Sequence, residues 1–151
     1  MHISSGTVSL HTKGFGDTQN FTREVEHLVR TGRCTHGIAT LFVPGSTAGI
    51  TTIEFEPGVI SDFQKALERL IPQDIPYDHD ARWGDGNGFA HVRASVIGPS
   101  LTVPFRDQSL QLGTWQQIVL VDFDNRPRTR EIIVQIMGEE VPGPRQRSQS
   151  C

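Results

Sequence analysis

Residues 90–137 read AHVRASVIGPSLTVPFRDQSLQLGTWQQIVLVDFDNRPRTREIIVQIM, and this stretch decides the fold class. It holds four runs rich in apolar and β-branched residues: Ala90 to Ile97, Ser100 to Phe105, Gln116 to Phe123 and Glu131 to Met137. They are divided by Gly98-Pro99, by Arg106 to Gly113 and by Asp124 to Pro127. Glycine, proline and short acidic or amide side chains are the residues that turns demand, so each run is expected to be a strand.

Upstream, Pro76 to Gly88 (PYDHDARWGDGNG) has no hydrophobic period and carries three glycines near its end. It is expected to be a long ordered loop, a kind of segment that in compact domains often carries function. Before it, Val59, Ile60, Phe63, Leu67, Leu70 and Ile71 share one helical face, opened by Pro57 and stopped by Pro72. Gly37 to Val43 and Ala48 to Phe55 read as consecutive strands, expected to form a hairpin through Pro44-Gly45-Ser46-Thr47. Phe21, Val25, Leu28 and Val29 define a helix near 20–31, with Asn20, Asp17 or Thr18 as its cap and Gly32 at its end. Val8 and Leu10 alternate with polar neighbours in a first strand, followed by a turn at Gly14 to Gly16. Helices inserted between antiparallel runs predict an α+β fold, mostly antiparallel sheet with two main helices. Residues 1–140 are expected to be a single domain and 141–151 (VPGPRQRSQSC) a flexible C-terminal tail.

With 151 residues, 36% hydrophobic side chains and 15 glycines, one core is enough. The 17 acidic and 14 basic groups give a net charge of −3, and no basic block precedes the tail. Nucleic acid is therefore not the expected partner, since neutralising phosphates needs clustered positive charge. Cys34 and Cys151 suggest no disulfide framework. No signal-peptide pattern and no long apolar run are present, so no membrane role and a cytoplasmic location are expected.

His79, within Tyr77-Asp78-His79-Asp80, and His91 flank the glycine-rich segment. Two imidazoles at the two ends of one excursion can serve one divalent metal, with Asp78 or Asp80 fixing a ring tautomer. The spacing equally suits a solvated loop histidine and a hydrogen-bonded edge histidine, because two histidines do not complete a zinc shell. Asp85 and Asn87, set between glycines, offer short oxygen side chains to a metal or a hydroxyl, or build tight turns. Ser46 and Thr47 lie in a turn that resembles an anion cradle yet lacks the lysine of a Walker motif. Arg93, Arg106 and Arg130, on or beside the late runs, are candidates to grip a phosphate or to pair on the surface. By strand periodicity Arg93 is expected to share a face with His91.

Taken together, Tyr77-x-His79-Asp80, Asp85-x-Asn87, Ala90-His91-Val92-Arg93-Ala94-Ser95, Gly98-Pro99-Ser100-Leu101-Thr102-Val103-Pro104, Arg106-Asp107 and Gly113-Thr114-Trp115-Gln116 resemble the YjbQ-like family, over about residue 5 to Glu139. The resemblance implies an α+β domain assembled as a homotrimer, with a divalent metal, Zn or Mg, near its histidines. It also implies a secondary thiamine-phosphate synthase activity, which joins a pyrimidine diphosphate to a thiazole phosphate. On this reading His79 and His91 are metal ligands. Asp85, Asn87 and Arg106 are catalytic, and Ser46, Thr47, Arg93, Ser95 and Gln116 contact a phosphorylated small molecule. One departure stands out: aligned on Ala48 and Glu54, Gly45 occupies a position where many members carry histidine, with Glu54, Glu56 or water as the replacements to consider. A non-catalytic trimeric module that holds a metabolite or metal is the competing reading.

Overall fold

The structure, a computed structural model, describes residues 1–140. The expected tail at 141–151 lies outside the described residues. In chain order the elements are β1 (His2–Thr12), β2 (Asp17–Asn20), α1 (Thr22–Thr31), β3 (Cys34–Phe42), β4 (Ala48–Glu54), α2 (Pro57–Leu70), α3 (Asp78–Trp83), α4 (Gly88–Ile97), β5 (Ser100–Arg106), β6 (Ser109–Leu110), β7 (Gln116–Asp122) and β8 (Arg128–Glu140). All strand pairings are antiparallel. A five-stranded sheet runs β1-β8-β3-β5-β6 and a three-stranded sheet runs β2-β7-β4. The α+β class with mostly antiparallel strands is as expected.

Side-chain alternation explains where the core sits. In β8, Arg130, Ile132, Val134 and Ile136 are buried while Glu131, Ile133 and Gln135 face solvent, the period-two signature of a sheet covered on one face. Strand β7 differs, because Ile118 to Asp122 are all buried. Ile118 and Leu120 pack with Phe21, Leu41 and Ile50 in a core between the sheets. Val119, Val121 and Phe123 pack with Leu67, Phe89 and Ala90 beneath the helices. A strand covered on both faces reads as a continuous apolar run.

Helix α1 begins after Phe21, which takes the cap position expected for Asn20, Asp17 or Thr18; Asn20 stands one residue earlier, its side-chain oxygen accepting from the N–H and hydroxyl of Thr22 at 3.0 and 2.7 Å, and the helix ends at Gly32. Helix α2 starts with Pro57, and the Glu56 carboxylate caps it by accepting from the Val59 N–H. Among the described residues no helix is long and apolar enough to cross a membrane.

Four expectations are corrected. Ala90 to Ile97 is not a strand but most of helix α4, whose buried positions Ala90, Arg93 and Ala94 recur at helical spacing. An arginine on the buried face masks that period. His91 and Arg93 therefore do not share a face, since two residues on a helix lie about 200° apart. The loop expected from Pro76 to Gly88 contains helix α3. Strands β3 and β4 form no hairpin: β3 pairs with β5 and β8, whereas β4 pairs with β7. β4 is packed between β7 and α4, and a Cβ on Gly49 would stand 2.8 Å from the Ile97 side chain. The turn at Pro44 to Thr47 thus carries the chain from one sheet to the other.

Candidate functional site

The site forms where the turn ahead of β4, the end of β7, the start of β8 and the α3–α4 segment meet. Its floor is a network of buried charges. Asp122 and Asp124 have no exposed surface. Arg130 donates through Nε and Nη2 to the two oxygens of Asp122, at 2.7 and 2.8 Å, a bidentate pair, and through Nη2 to Thr47 Oγ1 at 2.8 Å. Thr12 adds a 2.6 Å hydrogen bond to Asp122. Asp124 accepts from Arg128 Nε at 2.7 Å, with Nη2 in ion-pair contact at 2.6 Å, and from Thr47 Oγ1 at 3.1 Å, the Asn125 N–H at 2.8 Å and Asn87 Nδ2 at 3.4 Å. Burial opposes ionisation of Asp124, but the donors from Arg128, Asn125 and Asn87 outweigh it and hold the carboxyl below its ordinary value.

Above this floor, α3 carries His79 and ends at Gly84, whose left-handed φ of 70° turns the chain toward Asp85. Asn125 Nδ2 pins the loop by donating to the Asp85 carbonyl at 2.7 Å. Asp80 Oδ1 accepts from the Gly88 N–H at 2.8 Å, tying α3 to the first residue of α4. That placement brings the rings of His79 and His91 to 4.3 Å between centroids. His79 Nε2 lies 3.2 Å from the Asp85 carboxylate. Ligand atoms of His79, Asp80 and Asp85 lie within 4.8 Å of one another.

These groups line a cleft of about 460 Å³. Gly45, Ser46, Thr47, Arg128 and Arg130 line it together with His79, Asp85, Asn87 and His91, and the exposed Trp83 is also part of its wall. Of the residues singled out in the sequence, His79, His91, Asp85, Asn87, Ser46, Thr47 and Arg130 are brought together here. Arg93, Ser95, Arg106 and Gln116 are not among the lining residues. Arg93 is buried in α4, where it donates to the Ile71 carbonyl and to Glu68 and so closes the C-terminal end of α2. The Gln73 backbone N–H, and then the Arg93 guanidinium, hold the Glu68 carboxyl below its ordinary value. Ser95 Oγ bonds to the His91 carbonyl within its own helix. Gln116 donates to Thr52 on β4, and Arg106 is exposed at the end of β5 opposite His36. Glu54 and Glu56, considered as replacements for a histidine at Gly45, do not line the cleft either, and Glu56 is occupied as the α2 cap.

Sequence reasoning missed Asp122, Asp124 and Arg128, and saw in Arg130 only one of several arginines. The available signal was an apolar run ending in Asp122-Phe123-Asp124, followed by arginines two residues apart at the start of another strand. Acids buried at a strand end need cations on a facing strand, and period two puts Arg128 and Arg130 on one face.

The ligand atoms of His79, Asp80 and Asp85 are close enough together to suit a divalent cation, while His91 packs its ring on His79 outside that group of three. Asp80, Asp85, Asp122 and Asp124 outnumber Arg128 and Arg130, and the unpaired negative charge lies beside the histidines. Imidazole nitrogens combined with carboxylate oxygens suit Zn²⁺ or a similar ion better than Mg²⁺, which favours oxygen ligands alone. Asn87 Oδ1 is buried with no hydrogen-bond partner, so the site keeps an acceptor in reserve.

The chain matches the model of the family described as UPF0047 protein YjbQ-like over residues 6–139. It is 35% identical over 133 residues to the UPF0047 protein YugU of Bacillus subtilis, covering 87% of this chain and 98% of that one. Against a UPF0047 protein of Archaeoglobus fulgidus the identity is 35% over 118 residues, 78% of this chain and 89% of that one. Among solved structures, a YbjQ-like protein of unknown function from Sulfolobus solfataricus is similar with a TM-score of 0.82 at 29% identity, covering 91% of this chain and 100% of that one. A protein of the YjbQ/UPF0047 family from Clostridium acetobutylicum gives a TM-score of 0.80 at 34% identity, covering 87% and 98%.

Proposed function

We propose, from the premise that the chain belongs to the UPF0047 YjbQ-like family, that it is a small metal-dependent enzyme acting on a phosphorylated small molecule. The observation that carries this reading is the meeting of His79, His91 and Asp85 at one wall of a polar cleft. His79 and His91 are the proposed metal ligands, with Asp85 as a third ligand or as the acid/base group. Bound there, a divalent cation would supply charge neutralisation for a departing diphosphate. Asn87 is held in place by Asp124, which leaves its carbonyl oxygen to accept from a ligand or a metal-bound water. The role of anion clamp, expected at Arg93 or Arg106, passes to Arg128 and Arg130, because these are the arginines that line the cleft.

The reaction to assay is the secondary thiamine-phosphate synthase activity that the sequence resemblance implies. Protein purified without chelators is expected to carry zinc, and zinc-loaded protein to form thiamine phosphate from the pyrimidine diphosphate and the thiazole phosphate. Metal-free protein that binds no zinc on titration would refute the metal reading, and absence of product from the loaded protein would refute this activity.

A second reading, a module that holds its ligand without turning it over, draws on one specific observation: both arginines of the cleft are already committed to buried carboxylates. Binding of the two phosphorylated compounds with no turnover would favour it. A homotrimer is proposed for either reading. It is supported by an apolar row on the outer face of the five-stranded sheet, where Ile3 faces Met137, which faces Ile38, which faces Pro104, and where Ile3, Ile38, Phe42 and Ile133 remain 40–52% exposed.

A further inference from the structure

Gly45 sits in the turn ahead of β4 with φ of 140°, a region that strains any L side chain. A Cβ built there would lie 3.1 Å from Nη1 of Arg130. Arg130 is only 8% exposed, and its Nε and Nη2 are consumed by Asp122 and Thr47. Its Nη1 has no acceptor among the described residues, yet it is not one of their buried unpaired atoms, of which Asn87 Oδ1 is the single case. The free edge of the guanidinium therefore opens on the cleft that both residues line. The backbone N–H groups of Gly45, Ser46 and Thr47 also find no acceptor among the described residues.

We propose that this notch, formed by Arg130 Nη1 and the Gly45–Thr47 amides, is an anion subsite that takes the oxygens of a ligand's phosphate group. The proposal deepens the reading of the cleft as a site for a phosphorylated molecule and rests on it. Three features make the notch suited to that task. The guanidinium is fixed by its bidentate pair with Asp122, so it loses no rotamer freedom when an oxyanion arrives. Its remaining N–H groups are aimed by the same pairing. Residue 45 is the switch, since any side chain there would crowd Nη1, and glycine leaves it open.

The test uses inorganic pyrophosphate as probe. In ¹H–¹⁵N spectra of the wild-type protein, titration is expected to move the amides of Gly45, Ser46 and Thr47 more than any others. By calorimetry, Gly45→Ala is expected to weaken pyrophosphate binding about 10-fold, the change that one good hydrogen bond represents. The subsite is overturned if pyrophosphate does not bind at millimolar concentration, if it binds without moving those amides, or if Gly45→Ala binds it as tightly as wild type. Should Gly45→Ala melt at the assay temperature, the wild-type amide titration decides alone. A parallel zinc titration of the wild type separates the two ideas: pyrophosphate that moves the three amides in a protein unable to bind zinc removes the metal reading and leaves the notch standing.

Discussion

Replacing Asp124 by asparagine tests the charged floor of the cleft directly. Oδ2 of Asp124 receives a hydrogen bond from Arg128 Nε and one from Thr47, with Arg128 Nη2 in ion-pair contact, while Oδ1 receives those of Asn125 and Asn87. An amide presents one oxygen, so one of these two sets of donors must face an NH₂ group. A hydrogen bond to a charged group is worth about 1.5–3 kcal/mol. Arg128, about one-third exposed, can recover part of its loss by turning to water. The expected cost at pH 7 is therefore about 3 kcal/mol, a shift of roughly 6–12 °C in Tm for a domain of this size. The pH dependence carries the sign. The folded Asp124 carboxyl is held below its ordinary value, so the folded state binds its proton less readily than the unfolded chain. Its stabilisation is then complete above the unfolded value of about 3.9 and disappears as pH falls through the lower folded value. Urea titrations of wild type and Asp124→Asn from pH 7 downward are expected to show a gap in stability that stays constant to about pH 4 and narrows below. A gap under about 1 kcal/mol at pH 7, or one that stays unchanged into the acid range, would refute the account.

Alanine at His79 or His91 is expected to lower zinc occupancy in metal analysis, whereas His27→Ala, on the exposed face of α1, is expected to leave it unchanged. Equal occupancy in all three would show that the paired rings hold no metal. Arg93→Met is expected to cost about 2 kcal/mol in urea denaturation by freeing the Ile71 carbonyl, with zinc binding unaffected. A stability unchanged to within 0.5 kcal/mol, roughly the limit for neutral surface substitutions, would contradict that closing role. Static light scattering at micromolar concentration is expected to report three times the 16.8 kDa chain mass, and a monomer would remove the proposed homotrimer.

The α+β class is legible in the sequence because strand periodicity and turn residues agree along β5, β7 and β8. Helix α2 is legible because its prolines mark both ends. Helix α4 is not, for a physical reason. Its buried stripe of Ala90, Arg93 and Ala94 contains a charge that is satisfied only by Glu68 and Ile71, and these contacts are absent from any local window. The β3–β4 pair misleads because a Pro-Gly turn between two β-branched runs looks the same whether the strands pair or enter different sheets. Six of the seven cleft residues named from sequence come from two short segments, 46–47 and 79–91, where polar side chains cluster beside glycines, and Arg130 is the seventh. Asp122, Asp124 and Arg128 escape notice because burial, not composition, gives them their meaning, and burial is a property of the assembled fold.

The buried network that unites these segments also bears on the order of events in folding. Thr47 meets Asp124 across 77 positions and Arg130 across 83, while Asn87 reaches Asp124 across 37. Each such contact closes a long loop, and the entropy of the intervening chain is set against it. A chain with only its sheets formed would still lack the wall that α3 and α4 contribute. Ligand affinity regained in a refolding experiment would therefore report the docking of these two helices against the strand ends, which the return of sheet signal alone would not.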